Sequence, residues 1–257
     1  LLFYRCLQIA PLKYSLSIIL SFFLFHSSAQ PFIHSHNDYQ QAKPLTNAIR
    51  HKVFALEADV FLTNRGLVVA HDKKDTATAA TLEALYLQPI IRLFKKHKGR
   101  ISKNKTYSPV LMIDIKENAA AAITALLELI MLHPAVFNRS VNPKAVQLVI
   151  SGDRGKIADW LTYPYPIFFD GRPTEIYTDA TLQRVAFISA SYSNYVTAKD
   201  SATRIQELAN KVHAQNKLLR LWAIPDTAAH WKQLHELGVD IINTDKVEEC
   251  RKFFMKQ

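Results

Sequence analysis

Two histidines and a pair of carboxylates near the start of the chain have the types and spacing for metal-assisted attack at phosphorus. His34-Ser35-His36-Asn37-Asp38 follows a short apolar run. Glu57 and Asp59 interrupt the apolar stretch 54–60, and His71-Asp72 follows the run 67–70. Side chains two apart on an extended strand point the same way, so Glu57 and Asp59 face one point. Two such carboxylates repel unless a cation lies between them, and hard cations such as Mg2+ or Ca2+ take oxygen ligands. Histidines on either side of that cation form an acid–base pair, which makes His36 and His71 the candidate catalytic residues. His34 is read as support behind the ligands.

These groups meet only if successive strands end on one face. In parallel α/β proteins the loops at the carboxyl ends of the strands share one rim, and catalytic groups gather there. The rest of the chain alternates strand-like and helix-like runs with no internal boundary. Residues 81–97 have helical spacing with a break or kink at Pro89. Residues 110–116 are a strong strand on which Asp114 and Lys116 share a face; from spacing alone they either pair with each other or serve the site. An Ala-rich helix is expected over 119–132, ending before Pro134. Further strands are expected at 146–150, 167–169, 185–189, 218–224 and 239–242, each leading into polar residues. A helix capped at Asp226-Thr227 and stopped by Gly238 precedes the last one. Strand-like runs near 32, 54, 67, 111, 147, 168, 186, 220 and 240 give nine candidates for the eight places of a TIM-like (β/α)8 barrel. One of them, 167–169 or 67–70, is expected to be irregular or to lie outside it. Arg154 and Arg172, at strand ends, have the chemistry to grip a phosphate. Trp222 is expected as an apolar wall beside the substrate or as core.

The ordered set His36, Glu57-Ala58-Asp59 and His71-Asp72 resembles the glycerophosphodiester phosphodiesterase and phosphatidylinositol-specific phospholipase C superfamily. His34-Ser35-His36-Asn37-Asp38-Tyr39 and Leu56-Glu57-Ala58-Asp59-Val60 are most similar to its altered-inheritance-of-mitochondria branch. Asp114-Ile115-Lys116, Arg220-Leu221-Trp222, Gly238-Val239-Asp240 and Asn243-Thr244-Asp245 carry the resemblance nearly to the C-terminus. The resemblance implies a single-domain barrel that hydrolyses phosphoric diesters with one divalent cation, Mg2+ or Ca2+. It implies that Asp114 completes the metal shell of Glu57 and Asp59, and that Lys116 contacts the phosphate. Glycerophosphodiesterases proper carry H-R-G and P-E-N, whereas here Asn37-Asp38 follows His36 and Leu45-Thr46-Asn47 follows Pro44. A glutamate is therefore absent, and Asn37 takes its place as an oxygen ligand, as in the phospholipase C branch. A hydroxyl of the substrate can be the nucleophile in this superfamily, giving a cyclic phosphate first.

Residues 1–29 read as a secretory signal: Arg5 and Lys13 precede an apolar run over 14–25, and Ser27-Ser28-Ala29 precedes Gln30. The run is shorter than the roughly 20 residues a membrane span needs. The barrel domain then occupies 30–257, exported to the periplasm or beyond. Cys250 is the one cysteine after the signal, so the core rather than a disulfide must hold the fold. The formal charge of the whole chain is +10. That balance suits a small-molecule or lipid-derived phosphodiester and leaves peripheral contact with an anionic membrane open, and it equally suits a solvated basic face. The basic loop over 95–105 reads first as a flexible surface connection. No aromatic residue interleaves its charges, and no nucleic-acid module, nucleotide-binding glycine loop or evident protein-partner motif is present. Two other readings stand beside this one. His34-x-His36 also opens multinuclear sites of the polymerase-and-histidinol-phosphatase or amidohydrolase type, which need further histidines at later strand ends. A non-catalytic binding module on the same barrel is the third.

Overall fold

The computed structural model describes residues 30–196 and 199–256. The expected signal segment lies outside the described residues. The elements run β1 (Phe32–Ser35), α1 (Thr46–Arg50), β2 (Ala55–Thr63), β3 (Gly66–Val69), α2 (Gln88–Lys96), β4 (Val110–Ile115), α3 (Ala119–Ile130), α4 (Pro134–Phe137), β5 (Gln147–Gly152), β6 (Ile167–Gly171), α5 (Asp179–Gln183), β7 (Val185–Ser191), α6 (Ser201–His213), β8 (Leu219–Trp222), α7 (Ala228–Glu236), β9 (Ile241–Thr244) and α8 (Val247–Phe254). Parallel pairings run β1-β9-β8-β7-β6-β5-β4-β2, and a β1–β2 pairing closes the circle into an eight-stranded TIM barrel.

The ninth strand, β3, lies outside the barrel. It pairs antiparallel to the upper half of β2, Val60 opposite Val69 and Thr63 opposite Gly66. Only Asn64 and Arg65 separate the two strands, and a two-residue link can close a hairpin but not a parallel crossover. Gly66, at φ +89°, supplies the left-handed residue at that turn. His71 is therefore delivered by a returning hairpin rather than by a third parallel strand. The hairpin still brings it back to rim height, because Ala70 N–H donates to the carbonyl of Asp59 at 3.1 Å.

Pro89 marks a change of winding. A π-helical turn covers Glu83–Leu87 and α2 begins at Gln88, so proline sits in the first turn, where its missing N–H costs nothing. Thr227 caps α7 by accepting from His230 N–H, and Gly238 follows at φ +89°.

Strand period divides the core in two. One apolar layer lies between strands and helices and includes Leu56, Ala58, Val60, Leu111, Ile113, Leu148, Ile150 and Leu221. The alternate positions Ala55, Val110, Met112, Val149, Phe187 and Ile241 form a separate apolar plug inside the barrel. One or two steps of two further along the same strands come Glu57 and Asp59, Asp114, Ser151, Ser189 and Asn243. The barrel interior is thus apolar in its lower half and polar at its C-terminal half.

Candidate active site

Glu57, Asp59 and Asp114 each offer an oxygen, and the three lie within 4.8 Å of one another. Adjacent strands hold them, with Asp59 directly opposite Asp114 in the β2–β4 register. Asp59 is 1 % exposed. Burial pushes its carboxyl upward from the ordinary range, the hydrogen bond and charge of Lys116 pull it down, and the charges of Glu57 and Asp114 add to the rise. Lys116 Nζ lies 2.8 Å from both Asp59 Oδ2 and Asp114 Oδ1. Burial alone would lower its pKa, but the two carboxylates outweigh that and raise it. One ammonium does not satisfy three acids. Asp59 Oδ1 is buried with no hydrogen-bond partner, an arrangement that costs about 1–3 kcal/mol unless something binds there. An orphaned carboxylate oxygen in an all-oxygen cluster fits a hard divalent cation. Among the described residues this cluster, made of carboxylates alone, is the one group of three or more with metal-ligating geometry. The multi-histidine alternative finds no such group.

Asn37 sits beside the cluster. Its backbone is left-handed at φ 42°, and its Oδ1 lies 3.5 Å from the Tyr39 hydroxyl, which also donates to Asp59 Oδ2 at 3.0 Å. The loop carrying Asn37 is pinned by Asp38, which is fully buried. Asp38 accepts from Ser35 Oγ, Leu45 N–H and the Tyr86 hydroxyl. Asp38 thus holds the loop, and Asn37 is the residue the loop presents.

His34 lies behind the ligands. Its Nε2 is 2.7 Å from Glu57 Oε2. Burial, then the charge of Arg220, lowers its pKa well below the ordinary value, so it stays neutral and donates Nε2–H to the carboxylate. Arg220 Nη2 donates to the same oxygen at 3.0 Å and to Asn243 Oδ1 at 2.8 Å. Two donors on one oxygen fix the carboxylate and leave Oε1 for the cavity.

A cavity of about 270 Å³ opens above these groups, lined by His36, Glu57, Asp114, Lys116, Ser151, Gly152, Arg172, Arg220 and Trp222. Trp222 is 40 % exposed, so it is a wall of the mouth and not core. Of the two strand-end arginines, the structure brings Arg172 to the cavity and not Arg154. Arg154 grips Glu175 through both terminal nitrogens, donates to the Asp170 carbonyl and lies 5.5 Å from the centroid of the Trp160 ring. Its charge is committed to holding the β5 and β6 loops together. Arg172 Nη1 lies 2.8 Å from Asp170 Oδ2, which also accepts from Ser151 Oγ. Asp170 and Arg220 belong to the site although neither is among the site residues expected from sequence. Both share strand parity with apolar residues below them, and that signal could have found them.

His36 Nδ1 lies 2.8 Å from Asp245 Oδ1. Asp245 is placed by Asp226, which accepts its N–H at 2.9 Å along with the Thr244 hydroxyl and the Trp231 indole N–H. Burial alone would lower the His36 pKa, but the hydrogen bond to Asp245 and the charge of Glu57 reverse this and raise it. The hydrogen bond from His36 in turn holds the Asp245 carboxyl below its ordinary range. With Nδ1 engaged, Nε2 is the nitrogen left for a proton transfer. His71 is exposed, with Nδ1 3.2 Å from Asp72 Oδ1, and is not among the cavity-lining residues.

Gly152 closes the floor of the cavity. A Cβ there would stand 2.4 Å from the Ile115 carbonyl oxygen and 2.7 Å from Asp114 Oδ1, at a backbone φ of +66°. Gly152→Ala is expected to destabilise the protein by roughly 2–4 kcal/mol and to displace the Asp114 carboxylate. Thermal melting reads the first effect and cation titration the second; an unchanged melting temperature would contradict the packing described.

Comparison with known proteins agrees with this geometry. Residues 25–134 match the family model described as an AIM6-like phosphodiesterase domain. Altered inheritance of mitochondria protein 6 of Eremothecium gossypii is 27 % identical over 270 residues, covering 86 % of this chain and 69 % of that protein. A homolog in Arthroderma benhamiae is 24 % identical over 262 residues, covering 86 % and 83 %. Among solved structures, a glycerophosphodiester phosphodiesterase from Parabacteroides distasonis superposes with a TM-score of 0.57 at 14 % identity, over 88 % of this chain and 98 % of that one. One from Agrobacterium tumefaciens gives 0.52 at 12 % identity, over 87 % and 98 %. At those identities the structures share the fold. The expected resemblance to the altered-inheritance-of-mitochondria proteins is thus found in the family model and in the curated relatives, and the glycerophosphodiester phosphodiesterase structures share the fold.

Proposed function

We propose that this protein is an exported, metal-dependent phosphoric diester hydrolase. The observation that carries the reading is the buried, unpartnered oxygen of Asp59 inside a three-carboxylate cluster, beside a histidine oriented by an aspartate. Glu57, Asp59 and Asp114, with Asn37 alongside, would hold one Mg2+ or Ca2+. When bound, the cation supplies neutralisation of the non-bridging phosphate oxygens as charge builds in the transition state. Lys116 and Arg172 hold fixed positive charge at the cavity, where a phosphate would lie. Trp222 walls off the mouth and gives the alcohol part of a small or lipid-derived diester an apolar face. His36 moves a proton at Nε2, while Asp245 keeps its ring in one orientation. His71, exposed at the end of the hairpin and outside the cavity lining, is assigned the opposite proton transfer, which requires its ring to turn toward the bound phosphate.

A vicinal hydroxyl on the substrate can attack the phosphorus when His36 or His71 takes its proton. The other histidine then protonates the leaving oxygen, and water opens the cyclic phosphate in reverse order. Diesters with such a hydroxyl should be cleaved faster than matched diesters without one, and phosphorus NMR should show a transient cyclic phosphate. Equal rates and no cyclic species would remove the substrate-assisted route. No cleavage of any diester in a broad panel, with either cation, would remove the hydrolase reading itself.

A further inference from the structure

We infer that the end of the barrel opposite the cavity is a docking surface for an anionic lipid bilayer, and that docking leaves the catalytic mouth facing away from it. The last turn of α2 and the loop from it into β4 carry Lys95, Lys96, Lys98, Arg100, Lys103 and Lys105, and no acid occurs anywhere between Glu83 and Asp114. Beside it, the segment leading into β5 carries Arg139 and Lys144, with no acid between Glu128 and Asp153. The two segments are tied together, because the Asn142 side chain donates to the carbonyls of Gly99 and Ala135 at 3.0 and 2.8 Å. β4 and β5 are paired neighbours, so both loops lie at the same, N-terminal end of the barrel.

Lys95, Lys96, Lys98, Lys103 and Lys105 are exposed. None of the ion pairs among the described residues reaches them, Arg100 or Lys144. Elsewhere on the surface, lysines such as Lys73, Lys232 and Lys252 do find acids. A solvated basic face alone would explain that much. The second observation separates a bilayer from other polyanions. Leu132 is 74 % exposed, Val141 57 % and Met131 50 %, all in the segment after α3 that shares this end of the barrel. A nucleic acid or acidic polymer would pair with the cations and leave these side chains in water, and no aromatic residue interleaves the charges to stack on bases. A bilayer takes both kinds of group, the lysines at the headgroups and the aliphatic side chains just below them.

The geometry carries a consequence for the substrate. The six residues of β4 span roughly 20 Å, and the cavity lies beyond their far ends. A protein held by its lower end therefore presents its mouth to the aqueous side. It would act on water-soluble phosphodiesters, not on lipids of the membrane that holds it.

Vesicle sedimentation tests this with the full barrel, residues 30–257. Vesicles of 30 % phosphatidylglycerol in phosphatidylcholine should bind the protein, vesicles of phosphatidylcholine alone should not, and salt should weaken the binding. Each lysine near an anionic surface contributes about fivefold. Replacing Lys95, Lys98 and Lys103 together by Gln should therefore lower affinity about a hundredfold, and Leu132→Ser should lower it further. These residues lie outside the catalytic machinery, so both variants should cleave a soluble diester as the wild type does. That readout keeps a failure of docking distinct from a failure of the hydrolase reading. Equal binding to neutral vesicles would overturn the proposal. So would full binding by the triple variant, or an affinity for heparin and RNA that matches the vesicles and ignores Leu132→Ser. Rapid cleavage of a diester lipid within the docked vesicle would overturn the stated orientation.

Discussion

Chelation should take phosphodiester cleavage to background, and Asp59→Asn should weaken cation binding at least about 100-fold with little change in melting temperature. Loss of even an outer partner of a metal ligand typically costs 10–100-fold, so loss of a ligand charge sets that range as a floor. The fold should tolerate the change because volume is nearly conserved. The side-chain carbonyl of Asn can still accept from Tyr39, and the variant removes a buried charge whose second oxygen has no partner. Lys116→Met should move affinity the other way. Its ammonium sits 2.8 Å from two of the three carboxylates, and a unit charge about 5 Å from a divalent ion repels it by several kcal/mol at an effective dielectric near 20. Even part of that is a tenfold gain in affinity, accompanied by slower turnover because the fixed charge on the phosphate is gone. Calorimetric titration with Mg2+ and Ca2+ reads both variants without reference to activity. Unchanged affinity in Asp59→Asn, or full activity in excess chelator with no metal retained, would remove the cluster as a cation site.

Much of this arrangement is legible in the chain because strand parity is strict. A polar residue two or four positions beyond a buried apolar one, on the same face of the same strand, has nowhere to point except into the upper barrel. Met112 predicts the placement of Asp114, and Ala55 that of Glu57 and Asp59. The same rule covers Asp170 beyond Phe168 and Arg220 beyond Leu218, but those runs are short, so their inward face is weakly marked. The hairpin is less legible. β3 has the composition of a buried parallel strand, and only the two-residue spacing before it betrays an antiparallel return. Arg154 and Arg172 look equivalent in sequence, each ending a strand after Gly-Asp or Asp-Gly. What separates them is Glu175, a partner more than twenty residues from Arg154 that becomes its neighbour only when β5 and β6 pair. Asp245 carries no local sign of its role, since its contact with His36 spans the closure between the first and last strands.

Replacing His36 by Ala should cut turnover by roughly 10²–10⁴-fold, the range for a positioned proton-transfer group. His71→Ala should do the same, and the double variant should be little worse than either single one, because residues that act as a unit are not additive. Asp245→Asn is expected to be milder and to show itself in the pH profile. Burial by itself would lower the His36 pKa; the hydrogen bond to Asp245 and the charges of Glu57 and Asp245 are what hold it above its ordinary value. Taking away the Asp245 charge removes part of that support, so the His36 pKa must fall. If His36 acts as the base, the acid limb of the bell-shaped profile moves to lower pH; if it acts as the acid, the alkaline limb does. The direction is the same in both cases, and which limb moves tells the two roles apart. A purely structural part for Asp245 would lower the rate at every pH and leave both limbs in place. Single histidine variants with near wild-type turnover would sink the catalytic pair, and a profile in Asp245→Asn that shifts upward would sink the assignment of Asp245 as the group that tunes His36.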